Sequence, residues 1–152
     1  MSHADDYLME AVQVVSYIDT GLIDAMAEEL AGLRDRGGRL FLVGLGGSAA
    51  NCSHAASDFR KLAGLQAIAL SDNVAELTAR ANDEGWGSIY ADMLAASYAS
   101  CADALFVLSV GGGADGVSLP IIGAIQKARE EGMFIYGIVG RNGGATKQFG
   151  DC

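Results

Sequence analysis

Hydrophobic and polar positions along this chain follow two different rhythms. Between residues 4 and 36 apolar side chains recur at helical spacing. Tyr7, Leu8, Ala11, Val12, Val14, Val15 and Ile18 form a broad face, which Leu22, Ile23, Met26, Leu30 and Leu33 continue. Thr20-Gly21 predicts a kink or break between the two halves, and Gly37-Gly38 ends the arm. Beyond it the pattern changes to short, wholly apolar runs at 40–43, 67–70, 104–109 and 134–139. Each is short for a helix and rich in branched residues, as a buried strand is. Helical segments are predicted between them: one to about Phe59, one over 74–82, one from about Trp86 to Ala99, and one over 118–131 with Pro120 in its first turn. Apolar strands alternating with helices predict an α/β fold. The expected architecture is a three-layer parallel sheet with helices on both faces, flavodoxin-like or Rossmann-like, preceded by a long N-terminal helical arm. The chain divides accordingly into residues 1–38 and 39–152.

The arm is apolar on more than one side, so it needs a surface to lie against. The domain's own sheet is one such surface, and the same arm of another subunit is the other.

In parallel sheets of this kind the ligand crevice lies beyond the carboxyl ends of the strands. Three clusters of glycine and serine fall there, at 44–48, 109–113 and 140–144. The first joins strand to helix through Gly44, Gly46, Gly47 and Ser48, the layout in which backbone N–H groups and a helix N-terminus converge on an anion. One turn apart on the helix that follows stand His54 and Asp58, which share a face and could reach a common metal or proton. The dinucleotide fingerprint is excluded, since the last glycine and the ribose-binding acid are missing, and so is a Walker loop, since no Gly-Lys-Ser/Thr follows. Serine hydroxyls and free amides without a lysine suit a monophosphate on a small molecule. Ser48 and Ser118 also suit helix N-caps, a role compatible with phosphate contact. Trp86 and Tyr90 are read as core.

Composition narrows the function classes. The 152 residues are 51% hydrophobic with 21 glycines and a single proline, enough for a packed core with many tight turns. A formal net charge of −9 argues against a nucleic-acid surface. No apolar run approaches the ~20 residues of a membrane span. The opening MSHADDYLME lacks the basic and apolar regions of a signal peptide. Cys52, Cys101 and Cys152 are odd in number and irregularly spaced, which predicts reduced thiols in a cytoplasmic protein.

The blocks VGLGGSAANCSHAASDF, LSDNVAELTARANDEGW, LFVLSVGGG and AREEGMFIYGIVGRNGG resemble, in order and spacing, successive blocks of the sugar isomerase (SIS) family. Within it they are most similar to the phosphoheptose isomerases, which convert sedoheptulose 7-phosphate to D-glycero-D-manno-heptose 7-phosphate. The resemblance implies roles by position. Gly46, Gly47 and Ser48 match the turn whose serine contacts phosphate or sugar, with Asn51 one turn on. Ser109 matches the first serine of the phosphate loop that continues through Gly111 and Gly112 toward the helix start at Ser118. His54 matches a metal-binding histidine, Asp58 stands where a glutamate serves as base and zinc ligand, and Asp83 matches an aspartate facing the open-chain sugar. The resemblance also implies zinc, a homotetramer with sites between subunits, and service in heptose or lipopolysaccharide biosynthesis. Moving a proton between C1 and C2 through an enediol needs a base, an acid and stabilisation of an oxyanion, which these residue types can supply.

Four departures from the family pattern stand out. Asp58 replaces glutamate and Leu45 replaces asparagine. The phosphate loop is longer, with fewer hydroxyls, and carries Asp115, which would repel phosphate unless turned away. The sequence stops at Asp151-Cys152, where the family enters a last strand and a helix bearing the glutamine and histidine that complete the zinc site; His3 is a poor substitute. Two readings follow: an isomerase of a seven-carbon sugar phosphate, or a non-catalytic SIS module binding a sugar phosphate or a protein partner, of the kind that associates with a replication initiator. An isomerase of another sugar phosphate would share the same phosphate loops.

Overall fold

The computed structural model describes residues 2–114 and 116–152; Asp115, expected to repel phosphate, lies outside them. Helix α1 spans His3–Ser16 and begins cleanly, because Ser2 and Asp5 form a reciprocal capping box: the Asp5 N–H donates to Ser2 Oγ at 3.2 Å and the Ser2 N–H to Asp5 Oδ2 at 2.9 Å. His3 is therefore the first helical residue of an ordered cap. Helix α2 spans Thr20–Asp35, and the break before it falls slightly earlier than Thr20-Gly21, because the Asp19 carboxylate accepts the Gly21 N–H at 2.9 Å and so starts the second helix.

Strands β1 (Arg39–Val43), β2 (Gln66–Ala69), β3 (Ala104–Ser109) and β4 (Phe134–Val139) form one parallel sheet in the order β2-β1-β3-β4. Period-two alternation sorts β1 onto two cores. Phe41 and Val43 pack with Ile89 and Leu94 of α5 (Ile89–Ala96) and with Ile121 and Ile125 of α6 (Leu119–Glu130). Leu40 and Leu42 pack with Leu33 of α2 and with Cys52 and Ala56 of α3 (Gly47–Ala63). The three-layer parallel architecture is thus as expected. Helix α4 spans Val74–Asp83 and the short α7 spans Gly144–Phe149.

Local differences have local causes. The helix predicted from Trp86 to Ala99 forms only at Ile89–Ala96, and Tyr98 then takes a left-handed turn (φ 51°). That turn hands the Ser97 and Tyr98 carbonyls to the Arg39 guanidinium, at 2.9 and 3.1 Å. Leu70 leaves the second strand for a single 3-10 turn, Leu70–Asp72. The last two residues lie along β4: Asp151 N–H donates to the Ile135 carbonyl and the Cys152 carbonyl accepts the Gly137 N–H, both at 2.9 Å.

At the amino end of the sheet Arg39 and Asp103 form a bidentate pair, with Nη2–Oδ2 2.7 Å and Nε–Oδ1 3.0 Å, and the carboxylate also accepts the N–H groups of Arg39 and Ser100. Burial alone would raise the Asp103 carboxyl, but the guanidinium and the two backbone donors outweigh it and hold it below the usual carboxylate range.

The first half of the arm, α1, does not lie on the sheet, whereas the second half, α2, does: Leu33 is buried against Leu40 and Leu42, with Met26 and Leu30 packed beside it. No residue of α1 is buried, and Leu8, Val12 and Val15 are between 62% and 69% exposed. Of the two surfaces expected for the arm, the domain's own sheet receives α2 and is excluded only for α1.

Candidate functional site

The turn after β1 is built around close approach. A Cβ on Gly44 would come within 2.7 Å of the Ser48 backbone, so only glycine lets the helix start this near the strand end. The Tyr90 hydroxyl donates to the Gly44 carbonyl at 2.7 Å, which fixes the turn from below. Tyr90 is a buried core residue, as read from the sequence, and burial pushes its phenol up to about 12. Gly46 is the N-cap of α3 with φ 60°, and Gly47 is its first residue. Both are exposed, and their N–H groups have no partner among the described residues. The Ser48 N–H bonds to the Leu45 carbonyl at 3.2 Å, while its hydroxyl is likewise unpartnered among the described residues. A helix start with two free amides and a free hydroxyl favours an anion.

One turn along α3, His54 Nε2 lies 3.2 Å from Asp58 Oδ2, with the two side chains 82% and 51% exposed. Asn51, His54 and Asp58 line one open groove of about 530 Å³ together with Ala55, Phe59 and Leu108. The groove reaches the end of β3, one residue before Ser109. The shorter Asp58 therefore does meet His54 within hydrogen-bond range. Zinc needs four donors; no cluster of three or more His, Cys, Asp or Glu positioned for a metal occurs among the described residues. His54 and Asp58 would be a fragment of such a site, not a site.

The second glycine cluster follows β3. Ser109 Oγ accepts the Gly112 N–H at 3.0 Å, and Gly112 and Gly113 are buried in left-handed conformation. The third cluster lies at the same edge, as expected, but its job differs. The Gly143 carbonyl occupies the space a Gly112 side chain would need, and the first amides of α7 reach back, Ala145 N–H to the Gly113 carbonyl at 2.9 Å and Thr146 N–H to the Gly112 carbonyl at 2.8 Å. These glycines back the second loop.

Ser118 stands at the N-cap of α6 without a side-chain capping bond, its carbonyl accepting the Ile121 N–H at 3.0 Å. Asp83 is the last residue of α4, exposed, and accepts from the Asn82 amide at 2.7 Å; it does not line the groove of His54 and Asp58. Two features escaped sequence reasoning. Ser53, on the opposite side of α3 from the groove, donates to Asp72 at the end of the β2 turn and ties two carboxyl-end segments together. Thr146 is buried and bonds the second loop. Neither carries a local signal, since each depends on a partner 19 or 34 residues away.

The chain was compared with known proteins. A family model described as SIS domain matches residues 6–140. A phosphoheptose isomerase of Pelodictyon phaeoclathratiforme is 35% identical, over 95% of this chain and 70% of that protein. One of Chlorobium phaeobacteroides is 33% identical, over 95% of this chain and 65% of that protein. The chain thus spans about two thirds of the length of these relatives. The solved phosphoheptose isomerase of Neisseria gonorrhoeae superposes with a TM-score of 0.84 at 26% identity, covering 98% of this chain and 77% of that one. A parallel sheet with an anion-ready turn, a titratable pair on the helix leaving it, and these likenesses lead to one conclusion: the chain belongs to the SIS domain family, among relatives that are phosphoheptose isomerases.

Proposed function

We infer that this chain is an aldose–ketose isomerase of a seven-carbon sugar phosphate, interconverting sedoheptulose 7-phosphate and D-glycero-D-manno-heptose 7-phosphate through an enediol. The observation that carries the reading is the His54–Asp58 pair, 3.2 Å apart, in a groove that ends beside the Ser109 loop, in a chain 35% identical to a phosphoheptose isomerase.

Asp58 is the base. Its carboxylate takes a proton from C1 of the ketose; the C–H electron pair forms the C1=C2 bond while the C2 carbonyl pair moves to O2, which takes a proton from water to give the enediol. The C1 hydroxyl then gives its proton to water as C1=O forms, and the C=C pair takes the proton back from the Asp58 carboxyl at C2. His54, whose Nε2 lies 3.2 Å from Oδ2, helps to place the carboxylate. Gly46, Gly47, Ser48 and Asn51 address the sugar chain, and the loop from Ser109 through Gly112, with Ser118 beyond it, addresses the phosphate. Asp83 belongs to the sugar site only if another element or subunit brings it there. Zinc would add polarisation of the carbonyl; His54 and Asp58 would supply two of its donors, and the remainder must come from outside the described residues. The exposed apolar face of α1 supports assembly through the arm, as a homotetramer with sites between subunits. Service in heptose biosynthesis and a cytoplasmic location complete the proposal; no helix among the described residues is long and apolar enough to cross a membrane.

The test follows sedoheptulose 7-phosphate by NMR in heavy water, with and without added zinc, in the wild type and in Asp58→Asn. Turnover with deuterium incorporated at C2, lost in the variant, supports the reading. Saturable sugar-phosphate binding without exchange would leave a non-catalytic sugar-phosphate module, and absence of both would overturn the sugar-phosphate reading.

A further inference from the structure

The second glycine loop is held in part from outside itself, beyond the Gly112 N–H bond to Ser109 Oγ. Its Gly112 carbonyl accepts two hydrogen bonds from one residue, the Thr146 N–H and the Thr146 hydroxyl, both at 2.8 Å. The Gly113 carbonyl accepts the Ala145 N–H at 2.9 Å. Thr146 is itself buried, and its methyl fills the space that a side chain at Gly137 of β4 would take. Hydroxyl, amide and methyl are all engaged, so the residue has one position available to it.

The consequence lies on the far side of each peptide plane. In a trans peptide the carbonyl and the following N–H point in opposite directions, and the described residues hold no cis bonds. Turning the Gly112 and Gly113 carbonyls into α7 turns the N–H groups of Gly113 and Ala114 away from it. Those two amides, and that of Gly111, have no hydrogen-bond partner among the described residues. Gly113 is nonetheless buried, and a buried N–H without a partner is rare in folded proteins. The open amides of Gly113 and Ala114, on successive peptide planes around two left-handed glycines, and that of Gly111 on the other side of the Ser109-bonded Gly112, suit an anion-binding concavity.

We propose that Thr146 is a positioning residue for phosphate: its hydroxyl holds the Gly112 carbonyl inward so that the amides of Gly113 and Ala114 point at the anion. This rests on the phosphate-loop reading given above. Thr146 touches no substrate and takes no part in proton transfer.

The experiment titrates the full chain with inorganic phosphate, following the amide resonances of Gly111, Gly113 and Ala114, and measures isomerase kinetics in parallel, for the wild type, Thr146→Val and Thr146→Ser. Thr146→Val keeps the shape and the backbone N–H bond but loses the hydroxyl. It is expected to weaken phosphate binding about tenfold and to raise KM by a similar factor with kcat changed less than about twofold, as for loss of one hydrogen bond. Thr146→Ser keeps the hydroxyl and is expected to bind phosphate within about twofold of wild type. Wild-type phosphate affinity in Thr146→Val, or an equal loss in both variants, overturns the proposal, the second because the methyl and not the hydroxyl would then matter. A wild type whose loop amides do not respond to phosphate at all defeats the phosphate-loop reading and this proposal with it.

Discussion

Two acid–base pairs, Arg39–Asp103 at the amino end of the sheet and His54–Asp58 on α3, have opposite patterns of bonding. At the amino end, the Asp103 side chain is 4% exposed and that of Arg39 30%. Asp103 accepts from the guanidinium and from two backbone N–H groups, while Arg39 also serves the Ser97 and Tyr98 carbonyls and lies over the Phe41 ring. On α3, in the groove that reaches the end of β3, His54 and Asp58 are 82% and 51% exposed and have only each other among the described residues. The glycine turns around them leave amides unpaired. A pair with every donor and acceptor satisfied inside the chain has no capacity for a substrate, whereas an under-satisfied pair beside open amides does. The closed pair suits stability, and the open pair suits the proposed chemistry.

Mutation should separate the two pairs. The largest effect is expected from Asp58→Asn, about 10²–10⁴-fold in kcat by loss of the base, with a melting temperature close to wild type because the side chain is exposed; steady-state kinetics and thermal unfolding read the two arms. Charging the arm with Val12→Asp and Val15→Asp together is expected to dissociate the proposed assembly, since an apolar side chain buried between subunits would contribute about 1.5–3 kcal/mol; sedimentation velocity would show the shift, and an unchanged mass would sink the role of α1. Asp103→Asn is expected to cost roughly 3 kcal/mol of stability, by leaving Arg39 without its partner, while kcat/KM of the folded protein stays near wild type.

That same pair predicts a pH signature. The folded Asp103 carboxyl is held below its ordinary value, so its contribution is complete above the unfolded value of about 3.9 and is lost as pH falls through the folded value. Urea midpoints of the wild type should therefore fall in acid below about pH 4, and Asp103→Asn should remove this part of the slope. The smallest expected effect is Ser53→Ala, about 1 kcal/mol by loss of the bond to Asp72, with activity changed less than stability. A larger loss of activity than of stability would extend the chemistry to this side of α3.

Much of the fold was legible because burial on both faces writes itself into composition. The predicted runs 104–109 and 134–139 coincide with β3 and β4, and the sheet's parallel order follows from helices between strands. The His54–Asp58 pair was legible for a related reason: helical geometry brings i and i+4 together whatever the tertiary structure. Positions that depend on a distant partner were not. Nothing around Tyr98 announces a left-handed residue, because the turn exists to serve Arg39, 59 positions earlier. The cluster at 140–144 looked like a ligand loop, since glycine needed for close backbone packing and glycine needed for an anion are the same letter.

By itself the sequence determined the layers, the strand count, the family and the helix that carries the titratable pair, all of which follow from local periodicity and short-range geometry. The tertiary structure decided which glycines leave their amides open and which brace a neighbour, that the Arg39–Asp103 pair is closed while the His54–Asp58 pair is open, and that α1 finds no surface on its own domain. Those outcomes depend on hydrogen-bond partners and contacts set by the packing of segments far apart in the chain, and no local pattern of residues encodes them.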